Sequence, residues 1–417
     1  MSRIINLDPM NANQATFKDG WDVYRIAALD DPYPVWAAIR EESPVLDAGG
    51  GVFFVSAFEL ANEALRHPAV RAGSGVAESF GATEGPVYDV ATSWLMSLDG
   101  EEHQRARGLV QREFTSKRVE ALRPFIDAAA DRLAREFATA CVEQPSDLVP
   151  ALAFALPSEV IRSLFAIDAD EWQRDVVPLI APTGEPATDP TRADAPAPGA
   201  AVAALAEYFR RRIERGGDAG GLLAQLRVAD PESGRLSDRA VIANAVLLVT
   251  AAIDTTTGLV ANTVACLLSH PDQLARVRAH PELVVGVVEE TLRFEPPALS
   301  CSRTTVEPIT LGGVAIPAGS HLLFCIGAAN RDPDRFTEPD RFDVERPVER
   351  GAETLSFGGG RHFCLGAALA RLEAQVAVRA LLEHAPDIAL HEPIAWRKDS
   401  PTVRAPARLV VSRAGRC

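Results

Sequence analysis

The stretch SFGGGRHFCLGAALARLE, residues 356–373, decides how the rest of the chain is read. Three consecutive glycines, an arginine and a histidine lead to one cysteine, Cys364, and an alanine-rich helical pattern follows at once. The glycines permit a tight turn with no Cβ atoms in the way. A cysteine on the first turn of a helix lies near unpaired backbone N–H groups and the positive end of the macrodipole. Both favour thiolate over thiol and draw the pKa below the free value of about 8.5. A sulfur presented in this way is a nucleophile, a metal ligand or an ordinary buried core residue.

The bulk numbers narrow the setting. The 417 residues make room for one large domain or two ordinary ones. Hydrophobic residues make up 47% and charged residues 24%, the range of a globular protein with a sizeable core. A formal net charge of −15 and a pI near 5.1 are the reverse of the basic footprint of a nucleic-acid binder, so no nucleic-acid partner is expected. The six cysteines (Cys141, Cys266, Cys301, Cys325, Cys364 and Cys417) are scattered without a CxxC pair, which argues against a disulfide scaffold or zinc ribbon. The N-terminal text lacks the apolar core of a signal peptide, and the expected compartment is the reducing cytoplasm.

One apolar run, residues 240–269, is long enough to span a bilayer. It contains Asn244, Asp254, a threonine triplet and Asn262, all costly in lipid. A buried helix through a soluble core is the expectation, with no membrane partner. Ser237 is its expected N-cap. Before it, helical spacing marks 100–113, 117–141, 151–165 and 200–215, and proline-opened text marks a helix near residues 31–43. Alternating text around Gly49–Gly51 reads as a hairpin. Residues 68–92 and 181–199 read as long mobile loops inside one domain. A further helix ends at Pro296 and Pro297, and short strands follow over 309–324 with turns at Gly312–Gly313 and Pro317–Gly319. The fold class is mainly α with a small β portion.

A nucleophilic role for Cys364 requires a base and an orienting third group, and no local signature of one is present. An axial thiolate on haem iron accounts for more of the neighbouring residues, because a macrocycle needs a flat, glycine-lined approach and an electron-rich sulfur promotes O–O cleavage. FGGGRHFCLG, residues 357–366, resembles the cytochrome P-450 haem-binding block F-G-x-G-x-H-x-C-x-G at every defined position. The resemblance implies one cytochrome P-450 domain over residues 1–417, with Cys364 as axial ligand of haem b (iron protoporphyrin IX), Phe357 packed near the sulfur, and Gly366 closing the block. His362 would donate to a haem propionate.

Other parts stand where the resemblance requires them. Glu290 and Arg293 are spaced i,i+3 and lie on one helix face; they match the family's E-x-x-R pair, a buried structural network. His103 and Arg107, spaced i,i+4, resemble the H-x-R-x-R helix, and Arg303 matches a third cation for the two propionates. Asp254 and Thr255 resemble the acid–threonine pair over the iron, which relays protons. The family usually has glycine at the position of Ala252, and the extra methyl is expected to narrow the groove or change the helix distortion there. The NRDP stretch, residues 330–333, belongs to the same likeness.

The resemblance implies a haem-thiolate monooxygenase that inserts one atom of O2 into an apolar organic substrate. The text leaves no room for a reductase domain, so electrons are expected from a separate ferredoxin and ferredoxin reductase. Arg105, Arg112, Lys117, Arg118, Arg361 and Arg371 are expected to give the thiolate side a basic face for an acidic donor. Ala251, Ala252, Leu299, Ser300 and Val403 are pocket residues by position. An Ala-, Arg- and Gly-rich style points to secondary metabolism, and a monomer is expected. The alternatives are peroxide-driven or oxidative-coupling chemistry, or a catalytically silent recruitment module of the same fold. A silent module would have no need of the thiolate, the propionate cations or the proton pair.

Overall fold

A computed structural model describes residues 26–73, 83–180, 198–216, 221–228, 234–347, 354–398, 400 and 402–413. The expected signal-free N-terminus, Cys417, residues 74–82 of the first loop and 181–197 of the second lie outside the described residues. The main elements, in chain order, are α1 (Tyr33–Glu42), β1 (Val45–Gly49), β2 (Val52–Val55), α2 (Phe58–Ala64), β3 (Val70–Arg71) and α3 (Gly85–Thr92). Then come α4 (Gly100–Gln111), α5 (Ser116–Glu143), α6 (Ala155–Leu164), α7 (Pro198–Glu214) and α8 (Asp238–Ser269). The chain continues through α9 (Pro271–Ala279), α10 (Val284–Phe294), β4 (Ser300–Thr305), β5 (His321–Cys325) and α11 (Ala367–His384). The architecture is mainly helical with small sheets.

Two compact units are each assembled from separated parts of the chain. Among the described residues, those within 26–72, 269–364 and 396–405 form the first, and those within 73–268, 365–395 and 406–413 the second.

The first unit is organised by a five-stranded sheet of order β1-β2-β5-β4-β3. The β2–β5 pair is parallel, from Val52 opposite His321 to Val55 opposite Phe324, and the other pairs are antiparallel. Because successive side chains in a strand point to opposite faces, the run VFFV supplies both sides. Phe53 and Val55 join Leu322, Phe324 and the α2 residues Phe58, Ala61 and Ala64 on one face. Phe54 and Cys325 join Trp36 and Ile39 of α1 on the other. A sheet covered on both faces needs continuous apolar text rather than alternation. The hairpin expected at Gly49–Gly51 is present, with all three glycines at positive φ.

The second unit is helical. The buried residues Ile126, Ala130, Leu133, Ala134, Phe137 and Cys141 of α5 follow the helical period, and that face packs against α11. His384 Nε2 lies 2.6 Å from Asp131 Oδ1 and holds the far end of α11 to α5. The central helix α8 is long and apolar enough to cross a membrane by length and composition, yet 61% of its most apolar window is buried within the protein. Its polar residues are satisfied as a core helix requires: Asn244 accepts the Leu95 N–H at 2.9 Å, and Thr263 Oγ1 donates to Leu259 O at 2.6 Å. Ser237 Oγ accepts the Ala240 N–H at 3.2 Å, the expected cap.

The structure corrects the reading of 68–92 as one loop, since β3 and α3 occupy its ends. The helical text at 151–165 is also divided: residues Val149–Ala153 form a π-helical turn and α6 follows.

Candidate active site

The cysteine loop lies in the first unit and is built by glycine geometry. After the 3₁₀ turn Leu355–Phe357, Gly358 adopts φ 69° and ψ −153°, a region essentially closed to other residues. Gly360 has φ 64°, and a Cβ there would lie 2.4 Å from Leu65 O. Neither position accepts alanine without backbone movement. The Phe357 carbonyl accepts the Cys364 N–H at 2.9 Å and closes the loop. The Phe357 and Phe363 rings lie 6.2 Å apart, centroid to centroid.

Cys364 does not sit on the first turn of α11. Phe363 is extended, with φ −50° and ψ 136°, so the helix cannot start until Ala367, with Gly366 as N-cap. Cys364 is the exposed one of the five described cysteines. Burial pushes the thiols of Cys141, Cys301 and Cys325 up, which makes them inert. A Cβ built on Gly366 would meet nothing within 4 Å. An accessible soft sulfur donor on a rigid, glycine-lined loop fits an iron-bound macrocycle.

Behind this loop, Glu290 and Arg293 of α10 form a buried bidentate pair, 2.8 Å on each arm, with Arg293 1% exposed. Arg293 also donates to the carbonyls of Asn330 (3.1 Å), Pro339 (2.7 Å) and Arg341 (3.0 Å). Burial lowers the Arg293 pKa, and the Glu290 carboxylate opposes that shift. Arg346 is a third member that no motif marks. Arg346 Nε reaches both Glu290 oxygens, at 3.1 and 3.0 Å, and its guanidinium donates to the carbonyls of Thr337, Glu338 and Arg341. It stands 56 residues from Glu290 in a loop without periodicity, where no spacing rule points to it.

In the second unit, α8 runs as unbroken α-helix through Ala252, so the added methyl does not interrupt it. Mid-way along this core helix, Leu247, Leu248, Ala251, Ala252 and Thr255 keep exposure, an accessible stripe at helical spacing. Thr255 Oγ1 donates to Ala251 O at 2.7 Å. Asp254 is half-buried beside it. On α4, His103 is buried and Arg107 half-buried. The other two propionate candidates belong to the first unit: Arg303 on β4, with Nη1 donating to Ser302 O at 2.7 Å, and His362 in the 3₁₀ turn Gly360–His362.

Among the pocket candidates of the first unit, Leu299 and Ser300 are buried. Leu299 packs where a Cβ on Gly327 would lie, 3.1 Å away. Val403 forms an antiparallel bridge with Ala298, and these two keep partial exposure. Ala298 is thus an accessible residue that reading by position missed.

Glu373 of α11 is 2% exposed, and its Oε2 has no hydrogen-bond partner among the described residues. Burial pushes its carboxyl up to about 8 from an ordinary 4.5. Between those values the unfolded chain ionises the group while the folded chain keeps its proton. Folding stability from this group is therefore complete below about 4.5 and is lost as pH rises through about 8. Glu373→Gln should raise unfolding stability at pH 9 by roughly 4 kcal/mol and change little at pH 4. Chemical denaturation of both proteins across that range checks it; parallel curves would contradict it.

A cytochrome P450 family profile matches residues 218–385. The chain is 38% identical over 371 residues to cytochrome P450 monooxygenase PikC of Streptomyces venezuelae, covering 86% of this chain and 85% of that protein. It is 35% identical over 393 residues to 6-deoxyerythronolide B hydroxylase of Saccharopolyspora erythraea, covering 88% and 93%. Among solved structures, CalO2 superposes with a TM-score of 0.83 at 27% identity, over 95% of this chain and 99% of that one. The chain belongs to the cytochrome P450 family. Within it the protein is a monooxygenase, a haem-thiolate oxidoreductase that requires a substrate, O2 and redox partners.

Proposed function

We propose that the protein binds haem b through Cys364 and hydroxylates or epoxidises an apolar organic substrate of secondary metabolism, in the cytoplasm, as a monomer in which both units form one cytochrome P-450 domain. The observation that carries this is the accessible Cys364 sulfur on a loop locked by Gly358, Gly360 and the Phe357–Cys364 hydrogen bond. Bound haem-thiolate iron supplies dioxygen activation. His103, Arg107, Arg303 and His362 hold the propionates as charge-assisted donors. Phe357 packs near the sulfur once the haem is bound, and a Cβ on Gly366 would meet nothing within 4 Å, which leaves room for the macrocycle. Asp254 and Thr255 deliver protons; Thr255 belongs to the accessible stripe of α8, and its hydroxyl would exchange the Ala251 O bond for the relay.

Ala251 and Ala252 in the second unit, and Val403 with Ala298 in the first, are the small apolar surfaces proposed for the substrate, and Leu299 and Ser300 are buried next to Ala298 in the chain. The likeness to 6-deoxyerythronolide B hydroxylase supports hydroxylation of a compound of that kind. Electrons come from a small acidic ferredoxin with its reductase, steered by Arg105, Arg112, Lys117, Arg118, Arg361 and Arg371. Retention of the acid–threonine pair favours O2 over peroxide as oxidant.

Turnover with a ferredoxin, its reductase and a panel of macrolactones under isotopically heavy O2 tests this reading. The product should carry one heavy oxygen atom. A product whose new oxygen comes from water or added peroxide would contradict it.

A further inference from the structure

The NRDP stretch has three polar side chains that the site does not yet account for. Asp332 Oδ2 accepts the Phe58 N–H at 2.8 Å and starts α2, and Arg331 donates to Phe294 O. Asn330 turns to the cysteine loop. It is fully buried, with 0% exposure. Its Nδ2 donates to Leu292 O at 3.2 Å and to Ser356 Oγ at 2.8 Å. Its Oδ1 accepts the Leu355 N–H at 2.8 Å. Its own carbonyl accepts from Arg293 Nη1. Ser356 Oγ also bonds Leu292 O, closing a triangle between the two segments.

We infer that Asn330 is a positioning residue that joins the Glu290–Arg293 helix to the loop presenting Cys364. Leu292 lies in α10 between the charged pair, and Leu355 and Ser356 immediately precede Phe357. Phe357 then holds the Cys364 N–H. The rigidity of the buried ion network thus passes toward the sulfur through the Asn330 carboxamide, with the Ser356–Leu292 bond beside it. The shape demands an amide: two donors and an acceptor in one plane, each with a partner of its own. Alanine would leave the Leu355 N–H without its acceptor and let the start of the loop relax. This inference rests on Cys364 as the iron ligand.

The test uses haem-loaded protein and two readouts, thermal midpoint and the Soret band of the reduced carbon monoxide complex. In Asn330→Ala the share of complex with the thiolate-type band should fall about five-fold, the shift expected from losing one or two buried hydrogen bonds. Asn330→Asp keeps the acceptor and loses the donors, and should show a smaller fall; it carries the same expectation if the alanine variant does not accumulate. Thr305→Val is the control, since Thr305 is buried on β4 and donates to Pro317 O. It should lower the midpoint while keeping the wild-type band. Asn330 variants that lose stability but keep the wild-type band would overturn the positioning role alone. A wild-type protein without that band would overturn it through Cys364.

Discussion

Glu290→Gln is expected to destabilise the first unit by about 3–5 kcal/mol, because it leaves the buried Arg293 guanidinium and the half-buried Arg346 guanidinium without their counter-charge. Arg293 has 1% of its side chain exposed and Arg346 17%, and both converge on the Glu290 oxygens. Taking the pair out of water is costly, so its presence says little about net stability, but removing one partner exposes the full penalty. Surface pairs behave differently. Arg132 and Glu136 are 46% and 62% exposed, and Glu136→Gln should change stability by less than about 1 kcal/mol. Denaturant unfolding of the two variants separates the cases, and equal effects would contradict the account. Because the network also holds the Asn330 carbonyl, Glu290→Gln should also weaken haem retention.

Thr255→Ala should leave fold and haem content intact while product formed per electron falls at least about ten-fold, with hydrogen peroxide released instead. The structural side is mild. The Thr255 hydroxyl bonds Ala251 O within its own helix, and such back-bonds stabilise little. Alanine is also the better helix former. The chemical side is large, since a positioned proton donor contributes about 10²–10⁴-fold. Thr255→Ser keeps the hydroxyl and should restore most of the coupling. Measuring product against electrons consumed decides it; unchanged coupling would place proton delivery on other groups.

These expectations differ in how far they were legible in the chain. The cysteine block, Glu290–Arg293 and the Ser237 cap depend on short-range spacing, and the text displays them directly. The apolar run of β2 was legible as part of a hairpin, but not as the middle of a sheet covered on both faces, which depends on distant partners such as β5. Arg346 and Asn330 act through contacts tens of residues away, where no period carries a signal. Helix α3 was hidden because the Gly- and Ser-rich text before it reads as loop, and Gly85 at φ 85° opens it without a side-chain cap. The position of Cys364 ahead of α11 was missed because composition does not show that Phe363 is extended.

The central claim is that the Cys364 sulfur binds the haem iron. The Soret band of the reduced protein under carbon monoxide tests it most directly, compared between wild type and Cys364→Ala. The account predicts the thiolate-type band in the wild type and its loss in the variant. A wild type that shows no such band, or a variant that keeps it, would contradict the account.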